Sequence, residues 1–344
     1  MQKVSFYGLS RSGKSCYIFA MSQALSQGIK FSDNKVLSVV CPEPRQVIRL
    51  YKAYQQMATG IWPKGNIESV DYRFNCTVAL ENLMSIGITD YRGGLLDSID
   101  EDEEEEQKSL FDSFLDSSVL LFFIGADSIK DAMNGDRDSF EEGGIPSSMK
   151  ISFMNTLYNQ YRERAQTVNT PIMIVISKSD MLSESELVKA KEYIKKTLQV
   201  FFQSGTGITT AITAVTLGRN LSNYNGELEG ELIIGPTSGN IHVPVLYSLY
   251  NVVSSRIEES TGLLDSAQNS VVSARQEMTR EKARNPLVRF LFGNEKEIQR
   301  KIDSSTQTVG SEKEKLQKLY ELLNNIRPLL LSGAEVYIDG KRQF

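Results

Sequence analysis

Gly8-Leu9-Ser10-Arg11-Ser12-Gly13-Lys14-Ser15 decides how the rest of the chain is read. Two glycines with four residues between them are followed directly by Lys and Ser. Residues 3–7 before the stretch predict a strand, and residues 15–27 after it predict an amphipathic helix. A strand–loop–helix with this spacing has a chemical purpose. Gly8 and Gly13 permit backbone conformations that wrap a phosphate. Amides from Arg11, Ser12, Gly13, Lys14, Ser15 and Cys16 then face an anion at a helix N-terminus. Lys14 reaches the β- and γ-phosphates, and the Ser15 hydroxyl ligates Mg²⁺.

Two further stretches narrow the nucleotide. Ile86-Gly87-Ile88-Thr89-Asp90-Tyr91-Arg92-Gly93 ends a strand with D-x-x-G. Asp90 is placed for the Mg²⁺ shell and the Gly93 amide for the γ-phosphate. Ile172-Met173-Ile174-Val175-Ile176-Ser177-Lys178-Ser179-Asp180 is an apolar strand ending in S-K-x-D. A carboxylate accepts from both N1–H and the 2-amino group of guanine, and adenine offers no such pair, so Asp180 selects GTP over ATP. Either stretch alone reads more readily as a turn or helix cap. The order of all three along one chain argues against coincidence.

Together these motifs resemble the translation-factor and Ras-like class of P-loop GTPases over roughly residues 1–220. The resemblance implies that Gly13, Lys14 and Ser15 bind phosphate and Mg²⁺, that Asp90 and Gly93 form the second switch, and that Lys178 and Asp180 hold guanine. It also implies a base-contacting loop after the next strand, where Ala214-Val215-Thr216-Leu217-Gly218 is a loose match contributing Thr216 and Leu217. The departures are specific. Ser177 replaces the usual Asn or Thr. Gly94 stands where that class places a water-orienting Gln, which implies slow intrinsic hydrolysis. Arg11 and Arg92 are candidates to stabilise charge in cis, though each taken alone reads more readily as a surface arginine. An added strand and helix over 36–58 precede the expected first switch, where Asn66 and Ser69 stand and Thr59 is the nearest threonine. This segment, its G-x-W-P string and Asp90-Tyr91-Arg92-Gly93-Gly94 resemble the bacterial conflict-system, double-GTPase group.

The predicted fold is α/β, a P-loop GTPase fold with a mostly parallel sheet, followed by a long antiparallel helical hairpin. Strands are expected at 3–7, 36–41, 70–80, 84–89, 119–124, 172–176 and 209–216, with 70–80 and 84–89 forming a hairpin. The domains read as 1–242, 243–333 and a strand-like tail over 334–344. Leu264, Ala267, Val271, Ala274 and Met278 step by three and four, as do Ile298, Ile302, Ser305, Val309, Glu312, Leu316, Leu319, Leu323, Ile326 and Leu330. That is heptad spacing on two helices, each about 60 Å long.

Composition bounds the rest. The chain has 344 residues, 40% hydrophobic and 24% charged, as in globular proteins. Three cysteines with no C-x-x-C exclude a disulfide scaffold and argue against a zinc cluster. One histidine, His242, excludes two-histidine mechanisms and reads as structural. A net charge of −5 removes general nucleic-acid affinity as the default. With no signal-like N-terminus, the expected location is the cytoplasm. An effector or regulator protein is expected at the acidic segment 97–106 and the hairpin tip 286–292. The apolar and basic tip reads alternatively as packed on the first domain or touching an anionic membrane, as in a dynamin-like GTPase, the membrane contact being the least favoured reading. A homodimer is a further possibility. The rival functional readings are a P-loop ATPase and a pseudo-GTPase scaffold that binds nucleotide without turnover.

Overall fold

The computed structural model describes residues 2–8, 11–63, 69–79, 81–90, 116–135, 170–224, 227–283 and 294–343, with 112, 159 and 163. Its centre is a ten-stranded sheet. Five strands in it pair parallel, in the spatial order β5 (Glu81–Asp90), β1 (Gln2–Gly8), β6 (Val119–Gly125), β7 (Ile172–Ser177) and β8 (Thr209–Ala214). Strands β6 and β7 are buried at every position. Their unbroken apolar runs are what a strand covered on both faces requires.

Alternate side chains feed two cores. Leu120, Phe122 and Ile124 of β6 join Ile174 and Ile176 of β7 and pack with Ile129 of α3 (Ala126–Asn134) and with Ala190 and Ile194 of α4 (Glu184–Thr197). Leu121 of β6, Val4 and Phe6 face the other way, toward Met21 of α1 (Lys14–Ser26) and Val245 at the start of α5 (Val243–Lys282). Helices therefore cover both faces, the α/β layering that the alternation of apolar strands and amphipathic stretches predicts.

The expectation of a mostly parallel sheet needs correction, because the sheet is mixed. Beyond β5, the strands β4 (Val70–Val78), β3 (Val36–Val40) and β2 (Ile29–Lys30) each add antiparallel. Beyond β8, β11 (Ala334–Ile338) and β12 (Lys341–Arg342) do the same. Short links account for the β4–β5, β2–β3 and β11–β12 pairs, since a tight turn reverses the chain, whereas β3–β4 and β8–β11 pair antiparallel across long connections. The expected 70–90 hairpin is present, with Tyr72 opposite Ile88. The added strand and helix before it are β3 and α2 (Pro44–Ala58). The tail strand joins this chain's own sheet, with Val336 opposite Ala211. Another strand pair, β9 (Gly218–Tyr224) and β10 (Glu227–Leu232), forms a separate two-stranded sheet that the sequence reading did not anticipate. The strand expected over 209–216 ends at Ala214, which puts Thr216 and Leu217 in the following turn.

The chain divides into two compact units, Met1–Ser248 with Pro328–Phe344, and Leu249–Arg327. The second contains α5 from Leu249 onward and α6 (Glu295–Gly333) as far as Arg327. Ala274 and Met278 of α5 cluster with Ile298 and Ile302 of α6, so the two helices run antiparallel. The predicted heptad positions are all shielded at least in part, including the polar Ser305 and Glu312. No helix among the described residues is long and apolar enough to cross a membrane.

Candidate nucleotide site

Parallel pairing brings the carboxyl ends of β1, β5, β6 and β7 to one end of the sheet. The loop that leaves β1 is shaped by two left-handed residues, Arg11 at φ 63° and Gly13 at φ 83°. Gly13 is the N-cap of α1, and no side chain caps that terminus. Gly8 is needed for a different reason. A Cβ there would lie 2.6 Å from both the Phe123 carbonyl and Ser12 Oγ.

Lys14 is buried, and its ammonium donates to the Gly8 carbonyl. Desolvation lowers its pKa to about 8, opposed by the attraction of Asp90. Asp90 is fully buried at the end of β5, and Phe6 is its register partner on β1. Ser15 Oγ donates to Asp90 Oδ2 at 2.6 Å. A hydroxyl directed at a carboxylate keeps its own lone pairs for a cation. These are hard oxygen donors, and Mg²⁺ typically takes one or two carboxylates with the rest from phosphate and water. The pair fits that role. Among the described residues, no group of three or more His, Cys, Asp or Glu is assembled that could enclose a metal. The Cys16 thiol is pushed up to about 12 by burial, which makes it a packing residue rather than a nucleophile.

The second half of the site follows β7. Ser177 Oγ donates to the Ser12 carbonyl at 2.6 Å and lies 3.3 Å from the Ile124 carbonyl. The residue that departs from the expected Asn or Thr thus stitches the first glycine loop to the S-K-x-D turn. Lys178, left-handed at φ 55°, pairs with Asp127 Oδ2 at 2.5 Å. The Asp180 carboxylate is held from two sides. Thr216 Oγ1 lies 2.9 Å from Oδ1, and the Leu221 amide donates to Oδ2 at 2.9 Å. Ile233 N–H bonds the Leu217 carbonyl, so the 214–218 loop is tied to the end of β10. The two halves converge at Cys16, which feels the charges of both Lys178 and Asp90.

The structure therefore groups Gly8, Arg11, Ser12, Gly13, Lys14, Ser15, Cys16 and Asp90, and joins them through Ser177 to Lys178, Asp180, Thr216 and Leu217. Arg11 is exposed. Arg92, Gly93, Asn66, the acidic segment 97–106 and the hairpin tip 286–292 lie outside the described residues. Thr59 caps α2, its hydroxyl bonded to the Gln56 carbonyl at 2.9 Å. His242 is buried, which lowers its pKa, and it bonds the Leu329 backbone. Sequence reasoning missed Asp127 and Leu221. Neither stands in a spacing pattern; only the register of β6 with β7 and the path of β9 bring them to the site. No known protein family matches the chain, and no curated protein does.

Proposed function

We propose that the chain is a guanine-nucleotide switch: it binds Mg²⁺·GTP, hydrolyses it slowly, and signals to a partner protein. The observation that carries this reading is the union of two chemistries at one sheet end. Buried Lys14 and the Ser15–Asp90 pair suit a magnesium-bound triphosphate, and Asp180 presents a carboxylate beside them through the Ser177–Ser12 bond. The central order β4-β5-β1-β6-β7-β8, with β4 alone antiparallel among them, supports a P-loop GTPase fold. In this reading, loop amides and Lys14 bind and orient the phosphates, and Lys14 offsets charge that develops on the transferring group. Bound Mg²⁺ supplies further neutralisation of the phosphate oxygens. Arg11 and Arg92 are the arginines in cis available to assist. Gly94 has no side chain to hold a water, so turnover is slow or partner-activated.

Competition binding of GTP, ATP and xanthosine triphosphate to the wild type and to Asp180→Asn tests the reading. GTP is expected to bind most tightly, with Asp180→Asn lowering its affinity tenfold or more and improving the xanthosine nucleotide. ATP binding equally well and unmoved by the substitution would overturn it. One observation favours a second reading, a P-loop ATPase. Both Asp180 oxygens already hold protein donors, as a purely structural strut would. Phosphate release at saturating GTP separates a hydrolysing switch from a pseudo-GTPase scaffold.

A further inference from the structure

We propose that the β9–β10 arm is a specificity element of the guanine site, acting through the backbone amide of Leu221 as the positioning group for Asp180. The inference rests on the guanine-nucleotide reading above and adds to it a part of the chain that none of the motifs contains.

The arm's geometry frees that amide. Arg219 pairs with Glu231 and Ser222 with Glu229, so two residues of β9, Asn220 and Leu221, face the single residue Gly230 of β10. Such a bulge interrupts the ladder and leaves a strand amide unpaired within the sheet. Opposite the bulge, Gly230 has a positive φ of 99°. The Leu221 N–H is thereby available to Asp180 Oδ2, which it reaches at 2.9 Å.

The arm is also fastened at both feet to the base loop. Ile233 N–H bonds the Leu217 carbonyl at 2.9 Å, and Thr216 N–H bonds the Gly239 carbonyl at 3.0 Å. A Cβ on Gly218 would meet the Glu231 carbonyl at 2.1 Å, and one on Gly239 would meet the Thr216 carbonyl at the same distance. Both glycines permit backbone contact where the arm leaves and rejoins the fold.

A carboxylate turns easily about its terminal torsion. Bidentate recognition of guanine needs both oxygens in the plane of the base edge. One donor on each oxygen, from two different segments, holds that plane. Each oxygen retains a further lone pair, since an ionised carboxylate accepts about four hydrogen bonds. Adenine has no donor pair for this group, so the arm affects GTP and leaves ATP alone.

Leu221→Pro removes the amide hydrogen, and Leu221→Ala keeps it. GTP affinity of the full chain is expected to fall about tenfold in Leu221→Pro, with ATP affinity and Leu221→Ala unchanged. In an Asp180→Asn background, Leu221→Pro is expected to cost nothing further, because the two residues act as one unit. Where Leu221→Pro loses its cooperative melting transition, replacing residues 219–231 by a glycine linker removes the same amide and carries the same expectations. Unchanged or tighter GTP binding, equal weakening of GTP and ATP, or a full loss that persists beside Asp180→Asn would each overturn the inference. Failure of the guanine reading itself looks different: Asp180→Asn alone then leaves GTP binding untouched.

Discussion

The two ends of the site solve opposite electrostatic problems. At the phosphate end, Lys14 and Asp90 are buried, and desolvation pulls the lysine's pKa down to about 8. At the base end, Lys178 and Asp127 are about one third exposed, and Asp180 is half-buried. Burying charge is costly unless a partner offsets it. In the proposed function the phosphate end accepts that cost for a ligand that carries several negative charges. In that same proposal the base end reads a neutral heterocycle, where orientation matters more than field strength. The proposal then puts binding strength in one half and identity in the other, with Ser177 as the joint.

The widest test of that division is Lys14→Ala. It is expected to weaken GTP and ATP alike, by about a hundredfold, as loss of charge-assisted phosphate contacts does. A base-selective loss breaks the division. Asp180→Asn is the mirror case. It is expected to weaken GTP by tenfold or more while leaving ATP and inorganic triphosphate unaffected, measured by the same titration. Ser15→Ala removes the hydroxyl from Asp90 and is expected to cost about tenfold in GTP affinity with Mg²⁺ present and little in its absence. A loss independent of magnesium would assign Ser15 to folding instead.

The pH dependence sharpens the contrast further. In the proposed function Lys14 binds phosphate as the ammonium, and with burial lowering its pKa to about 8 the unliganded site loses that charge between pH 7 and 9. Affinity for GTP and ATP is therefore expected to fall together, by about tenfold between pH 7 and 9. The sign follows from the charged form being the one that binds. An ordinary lysine holds its charge across this range, so a flat profile to pH 9 would mean Lys14 is better solvated than its burial implies. The smallest effect belongs to the joint. Ser177→Ala leaves the Ser12 carbonyl without its 2.6 Å donor. About 1–2 kcal/mol of stability is expected to go, seen as a melting temperature a few degrees lower, with GTP and ATP weakened by similar small factors.

Much of the arrangement was legible beforehand for local reasons. Apolar runs such as Val119 to Ile124 and Ile172 to Ile176 have one stable place in a covered sheet, and they lie there as β6 and β7. The glycine spacing around Lys14 is a backbone requirement that shows directly in composition. The β9–β10 arm escaped notice because Gly218 to Leu232 is polar and carries no apolar alternation. Its strands pair with each other rather than with the main sheet. The mixed character of the sheet was hidden for a related reason. Edge strands of two residues, such as β2 and β12, are too short to show a period.

The sequence by itself determined the phosphate loop, the parallel strands that carry it, the heptad stripe and the residue types at each end of the site. These follow from neighbours within a few positions, where steric and periodic rules act. Tertiary structure alone decided that Ser177 meets Ser12, that Asp127 meets Lys178 and that Leu221 meets Asp180. Those meetings depend on strand order and register, which arise only when the whole sheet buries both faces. No local pattern encodes a distance between residues so far apart in the chain.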